Sequence, residues 1–273
     1  MNIGIAGLGF VGSAMMKSFS EKGVSLSLYD KYKNIGDITN LIDCDIIFLC
    51  LPTKYIDGAG YDKSAIYEVC DQLEDLGYKN TVVLKSTVEP GTTSNISTKY
   101  SFDMMHNPEF LSAATAYEDF HNQSHIVIGV DDIAVNPFKL INFYEKYYPD
   151  AEVSLCLSDE SEAMKLFCNN FYAMKIMIFN EFYDLCKNKN IDYNMVVSLM
   201  LKNNWINPMH TKVPGTDGKL AYGGYCFPKD TNALKEFTDR AGSLNRVLKA
   251  VIFERDMLRD DHDNVIKEEN NEN

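Results

Sequence analysis

The first half of the chain alternates short apolar runs with amphipathic stretches. "NIGIAGL" (2–8) is an apolar run that ends in glycines, residues 10–22 carry helical spacing, and "VSLSLYD" (24–30) reads as a second strand. "CDIIFLCLP" (44–52) is a third, closed by Pro52; "NTVVLKST" (80–87) and "HIVIGV" (125–130) follow, with helical stretches between. Strands regularly separated by helices predict an α/β fold, a doubly wound parallel sheet covered on both faces and joined by right-handed crossovers.

The pattern changes near Ser158. "SDESEAMKLFCNNFYAMKIMIFNEFYDLCKNK" (158–189) has apolar residues around much of its circumference, which predicts one long, deeply packed helix. Ser158 or Asp159 suits its N-cap, and Glu160 and Glu162 suit its first turn. Further helices are predicted at 192–203, about 230–240 and 243–260. The expected organisation is therefore an α/β domain over 1–157 and an all-helical domain over 158–260 with a long central helix. An acidic tail over 261–273, "DNVIKEENNEN" at its close, is expected to be disordered. The long helix has more apolar surface than a small domain can cover, so a homodimer is expected.

Composition narrows the function classes. The net charge of -13 argues against nucleic acid, which needs a basic face. It leaves room for a small anionic ligand held by local donors. No apolar run is long enough to span a bilayer, and "MNIGIAGLGF" lacks the basic start of a secretory signal, so a cytoplasmic protein is expected. Seven scattered cysteines without metal-ligand spacing read as free thiols in a reducing compartment.

Two glycine-rich turns carry the candidate chemistry. Gly7-Leu8-Gly9-Phe10-Val11-Gly12 fits G-x-G-x-x-G between a strand and a helix, the context that gives this common pattern its meaning. Gly7 permits the tight turn, Gly9 lets a pyrophosphate approach, and Gly12 lets helix and strand pack closely. Asp30, at the end of the second strand, can accept hydrogen bonds from ribose hydroxyls and repel a 2′-phosphate, which favours NAD and a Rossmann-like domain. Lys31 and Lys33 weaken that discrimination, and a flavodoxin-like turn with incidental glycines is the alternative.

The second turn is "YGGYCFPKDT" (222–231). Cys226 precedes a predicted helix beginning near Pro228, and a thiolate is stabilised at a helix N-terminus. An NAD domain with an activated cysteine suggests covalent chemistry at an aldehyde. The plainer alternative is a small buried hydrophobe in a turn. Lys165 and Asn169 stand i, i+4 on the long helix, one face, with Lys165 between Met164 and Leu166. A buried lysine there is a site candidate; a lysine snorkelling to the surface is the commoner case.

"GLGFVG", "LPT" (51–53), "KSTVEPGTT" (85–93), "NPEFL" (107–111), "EAMKLFCNNFYAMKIMIFNE" (162–181) and "GGYCFPKDT" (223–231) stand in the order seen in the UDP-glucose/GDP-mannose dehydrogenases, and residues 1–255 resemble that family. The resemblance implies oxidation of a sugar C6 alcohol to a carboxylate with two NAD+, UDP-glucose to UDP-glucuronate being favoured. It implies Cys226 as nucleophile, Lys165 and Asn169 as partners of the developing oxyanion, and Asp230 acting with Lys165 and a water in proton transfer. Glu109 would be the base and Thr87 would help position the water. Pro52, Thr53 and Thr87 join the glycine turn, Phe10, Val11 and Asp30 in cofactor binding. Glu109, Phe110, Leu111, Lys165, Asn169, His210, Lys212, Tyr222, Gly223 and Gly224 line the substrate.

Three departures are visible. Ala113 stands where members usually carry a second glutamate. The region "HTKVPGTDGK" (210–219) has no arginine where many members place one, leaving His210, Lys212 and Lys219. A third domain over the nucleotide half has no counterpart, so a short form is expected. A 3-hydroxyacid-type dehydrogenase that needs no cysteine, or a non-catalytic binding protein, would share much of this pattern.

Overall fold

The computed structural model describes residues 1–131 and 136–259. The predicted tail over 261–273 lies outside the described residues. Two compact units emerge: Met1–Lys54 with Tyr61–Leu166, and Tyr55–Gly60 with the chain from Phe167.

The first unit follows the alternation of its sequence. β1 (Asn2–Ala6), α1 (Phe10–Glu21), β2 (Ser25–Tyr29) and β3 (Ile46–Leu49) come first, and β4 (Tyr55–Ile56) and β5 (Gly60–Tyr61) are two-residue strands. Next are α2 (Ser64–Asp75), β6 (Thr81–Leu84), α3 (Thr92–Ser97), β7 (Asp103–His106), α4 (Ala116–His121), β8 (His125–Val130), α5 (Phe138–Tyr147) and β9 (Glu152–Leu157). The seven-stranded sheet has the order β2-β1-β3-β6-β7-β8-β9. β1 is flanked by both β2 and β3, so the connections diverge there, and the ends of β1 and β3 form the switch point where such sheets bind ligands.

The central strands are apolar throughout because both faces are covered. Period-2 alternation sends Ile46 and Phe48 into one core cluster and Ile47 and Leu49 into the other. On the first face Phe19 meets Phe143 edge-on at 5.1 Å.

The doubly wound sheet is as expected, with one junction that departs from all-parallel: β8 runs antiparallel to β7, His106 opposite Gly129. β7 and β9 were not anticipated. β7 is only four residues and opens on Asp103. β9 is an edge strand that leaves Leu155 and Leu157 half exposed, so it lacks the continuous apolar signature of the central strands.

α6 spans Ser158–Asn188, as its periodicity predicts. Its first turn holds Asp159 and Glu160, and the Glu160 carboxylate accepts the Leu157 amide N–H at 2.9 Å, half of a capping box. α7 (Tyr193–Leu201), α8 (Cys226–Arg240) and α9 (Arg246–Leu258) follow. Asp192 caps α7 by accepting the Met195 N–H. The core of the second unit is built from Phe179, Cys186, Tyr193, Val197 and Val213, with Ala173, Met177, Ala221 and Tyr222 beside it.

Residues Tyr55–Gly60 join this helical unit. The Tyr55 hydroxyl donates to Glu236 of α8, and the Ala59 carbonyl accepts from Arg240. A single cut in the sequence has no means of finding that excursion. Among the described residues no helix is long and apolar enough to cross a membrane.

Candidate active site

The three glycines of the first turn are required for three different reasons. Gly7 has φ +90, and a Cβ there would sit 2.4 Å from the Cys50 carbonyl oxygen. A Cβ on Gly12 would lie 1.9 Å from the Gly7 carbonyl oxygen, because helix and strand cross there in contact. A Cβ on Gly9 would meet nothing within 4 Å. Its surroundings are open, and Gly9 is also the N-cap of α1, with no side chain satisfying the first-turn amides. An open approach onto unsatisfied N–H groups fits the pyrophosphate of a dinucleotide.

Phe10 is exposed at the mouth of this turn and Val11 packs against the core. Asp30 stands beside it, nearly buried. One carboxylate oxygen accepts the Leu8 N–H at 2.7 Å; the other accepts the Tyr32 and Lys33 N–H groups at 3.0 and 2.9 Å. The carboxylate thus ties the end of β2 to the glycine turn and retains acceptor capacity. Lys33 donates to the Leu8 carbonyl at 2.9 Å and Lys31 pairs with Glu68, so each lysine of this turn already has a protein partner.

The loops after β3 and β6 are fastened to each other. Buried Thr53 donates to the Thr87 carbonyl at 2.8 Å, and Ser86 donates to the Leu51 carbonyl at 2.6 Å. Pro52 is exposed between them.

Farther along the same edge, Glu109 and Lys165 form an ion pair at 3.1 Å, with side-chain exposures of 11% and 6%. Lys165 is therefore buried and does not snorkel. Glu109 also accepts the Leu111 N–H at 2.6 Å, which curls the NPEFL loop around its own carboxylate. Phe110 is half exposed, its ring 5.5 Å from the Lys165 ammonium. Ala113 is exposed.

In the second unit, Cys226 is exposed and is the first residue of the 15-residue α8. One turn on, Asp230 is completely buried. Its carboxylate accepts from Asn169 at 2.6 Å on one oxygen and from Lys229 at 2.6 Å on the other, and its carbonyl accepts from Asn170 at 3.1 Å. α6 and α8 are thus joined through the two asparagines.

Tyr222 is buried, its hydroxyl directed at Thr231, so its ring belongs to the core. His210 is half buried between Tyr172 and Phe227, with ring centroids 5.0 and 5.7 Å away. Burial, with Lys175 nearby, lowers its pKa. Lys212 and Lys219 are exposed. Gly224 has φ +74 with open space around it, whereas a Cβ on Gly223 would strike the Arg259 guanidinium at 2.2 Å.

Each unit therefore gathers its own share of the expected residues. Gly7, Gly9, Gly12 and Asp30 meet in the first, as do Thr53 with Thr87 and Glu109, Phe110 and Leu111 with Lys165. Asn169 and Asp230 meet in the second. The Asp230 carboxylate accepts from Lys229 and Asn169, and Lys165 pairs with Glu109.

Sequence reading missed four buried cations: Lys85, Lys229, Arg255 and Arg259. Arg255 donates to the Tyr222 carbonyl; Arg259 donates to the Leu220 and Ala221 carbonyls and pairs with Asp217. They brace the segment before the cysteine from α9 and the residue after it. Lys85 left a faint signal, a lysine directly continuing the apolar strand "TVVL"; the arginines sit in "FERDMLRDD" among other charges and left none.

A mostly parallel sheet with an open glycine turn at its switch point is the architecture of a dinucleotide-binding domain. Residues 31–148 match the NAD binding domain of the UDP-glucose/GDP-mannose dehydrogenase family and residues 159–253 match its central domain. The chain belongs to that family.

It is 33% identical over 235 residues to a UDP-glucose 6-dehydrogenase of Rickettsia conorii, covering 81% of this chain and 51% of that protein. The chain spans about half the length of the curated relatives it matches. In fold it resembles a UDP-glucose dehydrogenase from Pyrobaculum islandicum (TM-score 0.81, 24% identity, 94% of this chain and 68% of that one). It also resembles a 3-hydroxyisobutyrate dehydrogenase of Mycobacterium tuberculosis (TM-score 0.75, 13% identity, 96% and 94%).

Proposed function

We propose that the chain is the oxidoreductase part of an NAD-dependent nucleotide-sugar 6-dehydrogenase, with UDP-glucose as the favoured substrate and UDP-glucuronate as product. In this reading residues 1–157 are the dinucleotide domain and 158–260 the helical domain. The carrying observation is the exposed thiol of Cys226 at the first position of α8, one turn before the buried Asn169–Asp230–Lys229 cluster. A helix start favours a thiolate, and in this reading that thiol is the nucleophile, a role supported by the match of residues 159–253 to the family's central domain.

Gly7, Gly9, Gly12 and Asp30 hold the dinucleotide, with Pro52, Thr53 and Thr87 shaping its floor. Bound NAD+ supplies the hydride acceptor for both oxidations. At the aldehyde stage Cys226 adds through Sγ to the carbonyl carbon, and the oxygen becomes an alkoxide. Lys165 and Asn169 stabilise that oxygen as cation and hydrogen-bond donor. After the second oxidation the sugar is a thioester on Cys226. Glu109 takes a proton from the attacking water, the C–S bond breaks, and the thiolate leaves.

A homodimer is part of the proposal. Phe167, Phe171, Ile178, Phe182 and Leu185 form one stripe along α6 and are exposed by 39–63%. Sedimentation of the chain is expected to give a dimer and Phe171→Asp a monomer; a monomeric parent chain would sink this part of the reading. Seven free cysteines suit a reducing, cytoplasmic setting.

The test incubates the chain with UDP-glucose and NAD+ and follows NADH absorbance. Two NADH per sugar, abolished in Cys226→Ser, is the expected result. Absence of turnover with every UDP- and GDP-sugar overturns it. Full turnover in Cys226→Ala would assign the chain to the hydroxyacid type instead, and NAD+ binding without NADH formation would mark a binding protein.

A further inference from the structure

We propose that Lys85 is a positioning residue that fixes the loop bearing Glu109 and sets the charge balance of the Glu109–Lys165 pair. The inference deepens the proposed function, since it rests on reading Glu109 and Lys165 as reacting groups.

The sheet holds both partners rigidly. The Lys85 N–H donates to the Leu49 carbonyl at 3.0 Å and the Asn107 N–H donates to the Leu84 carbonyl at 2.9 Å, continuing the ladder past the ends of β6 and β7. From that anchored position the Lys85 ammonium donates to the Asn107 side-chain oxygen at 2.9 Å and to the Pro108 carbonyl at 3.3 Å. Asn107 is fully engaged: the Tyr144 hydroxyl donates to the same oxygen, and its amide donates to the Val127 carbonyl at 2.6 Å. Lys85 therefore grips the two residues immediately before Glu109.

Lys85 is 3% exposed, and its ammonium donates to two neutral carbonyls; the Phe120 ring lies 5.7 Å away. Burying a cation without a carboxylate in contact is costly, and an arrangement of that kind recurs where charge is used. Five titratable groups among the described residues face it. From the end of β3 comes Cys50, whose thiol burial pushes up to about 12, so it carries no charge at neutral pH. From β7 comes His106, which burial holds neutral down to about 3. From α5 comes Tyr144, raised well above its ordinary value by burial.

The remaining two are Glu109 and Lys165. Burial pushes Lys85 down to about 8, Glu109 acts against that shift, and Lys165 adds to it. Lys85→Met removes that charge and releases the loop before Glu109.

Lysine labelled with 13C at Cε, in the full-length chain without ligands, tests the coupling directly. The Lys85 signal, identified by its loss in Lys85→Arg, is expected to titrate near pH 8. It moves to lower pH in Glu109→Gln and to higher pH in Lys165→Met. A signal unmoved by both substitutions overturns the proposal.

The second arm is kinetic. Lys85→Met lowers kcat by a factor on the order of 10 to 100, the scale of misplacing a catalytic group, with KM within about twofold. The pH profile shifts as well, and Lys85→Arg recovers part of the loss. A folded Lys85→Met with the parent's kcat and pH profile also overturns the positioning role. A parent chain that forms no NADH defeats the functional reading alone, and the titration still decides for Lys85.

Discussion

The chain has two glycine-rich turns that each lead into a helix, and they are built on opposite principles. At Gly7 and Gly12 the obstacle to a side chain is backbone only a few residues away in space, the carbonyls of Cys50 and Gly7. At Gly223 the obstacle is a side chain, the guanidinium of Arg259, reaching in from beyond α9. Backbone crowding at a strand–turn–helix is intrinsic to the geometry, so any sequence making that turn needs glycine there. Side-chain crowding is negotiable, because the far end of an arginine can move. Only the Gly12 contact is local: Gly7 and Gly223 both meet atoms from later in the chain, Cys50 and Arg259, and they differ in meeting backbone in one case and a side-chain end in the other.

Substitutions separate the two. Gly12→Ala has the largest expected effect: its Cβ would be 1.9 Å from a carbonyl oxygen that cannot retreat, so stability falls by about 3 kcal/mol or more, read as an early urea midpoint. Gly223→Ala displaces Arg259 from Asp217 and the Leu220 carbonyl and costs about 1–3 kcal/mol. Arg259→Ala costs a similar amount alone, but the double variant costs less than the sum. Additive losses would show that the two residues do not compete for one space.

Gly9→Ala sharpens the first turn in the other direction. Its Cβ enters open space, so the melting temperature should hold, while NAD+ affinity by calorimetry drops on the order of tenfold, or ~1.4 kcal/mol. Unchanged affinity would mean that no ligand approaches at Gly9.

The smallest effect concerns His106, at the base of the NPEFL loop, where Nδ1 meets the Ser161 hydroxyl at 2.8 Å. Burial lowers its pKa from 6.5 to about 3. Between those values the unfolded chain binds a proton that the folded chain does not, so stability rises with pH across the window and falls on acidification. His106→Asn should flatten that part of the stability curve. Glu162 opposes the trend: burial raises it to about 7 against hydrogen bonds from Gly91 and Thr93, so its contribution declines as pH climbs toward 7. A Glu162→Gln background isolates the histidine.

Much of this was written locally. β1, β2, β3, β6 and β8 of the first unit, the 31 residues of α6 and the glycine turn with Asp30 follow from periodicity and short spacings. The residues that were not legible share one property: their partners are distant. β9 is half exposed and so carries no continuous apolar run; Tyr55–Gly60 joins the helical unit through Glu236 and Arg240. Lys229 and Asn169 were needed to say who holds Asp230.

By itself, then, the amino-acid order determined the alternation of strand and helix, the turn that needs glycine and the placement of a thiol at the start of a helix. Each is settled by dihedral preference and by the period of apolar side chains over a few residues. Folding decided which charges lie out of water and beside one another. Lys85 against Asn107, Glu109 against Lys165 and Arg259 against Gly223 are contacts between segments 22 to 56 positions apart. Their consequences follow from desolvation and Coulomb interaction, which act through space and leave no period along the chain.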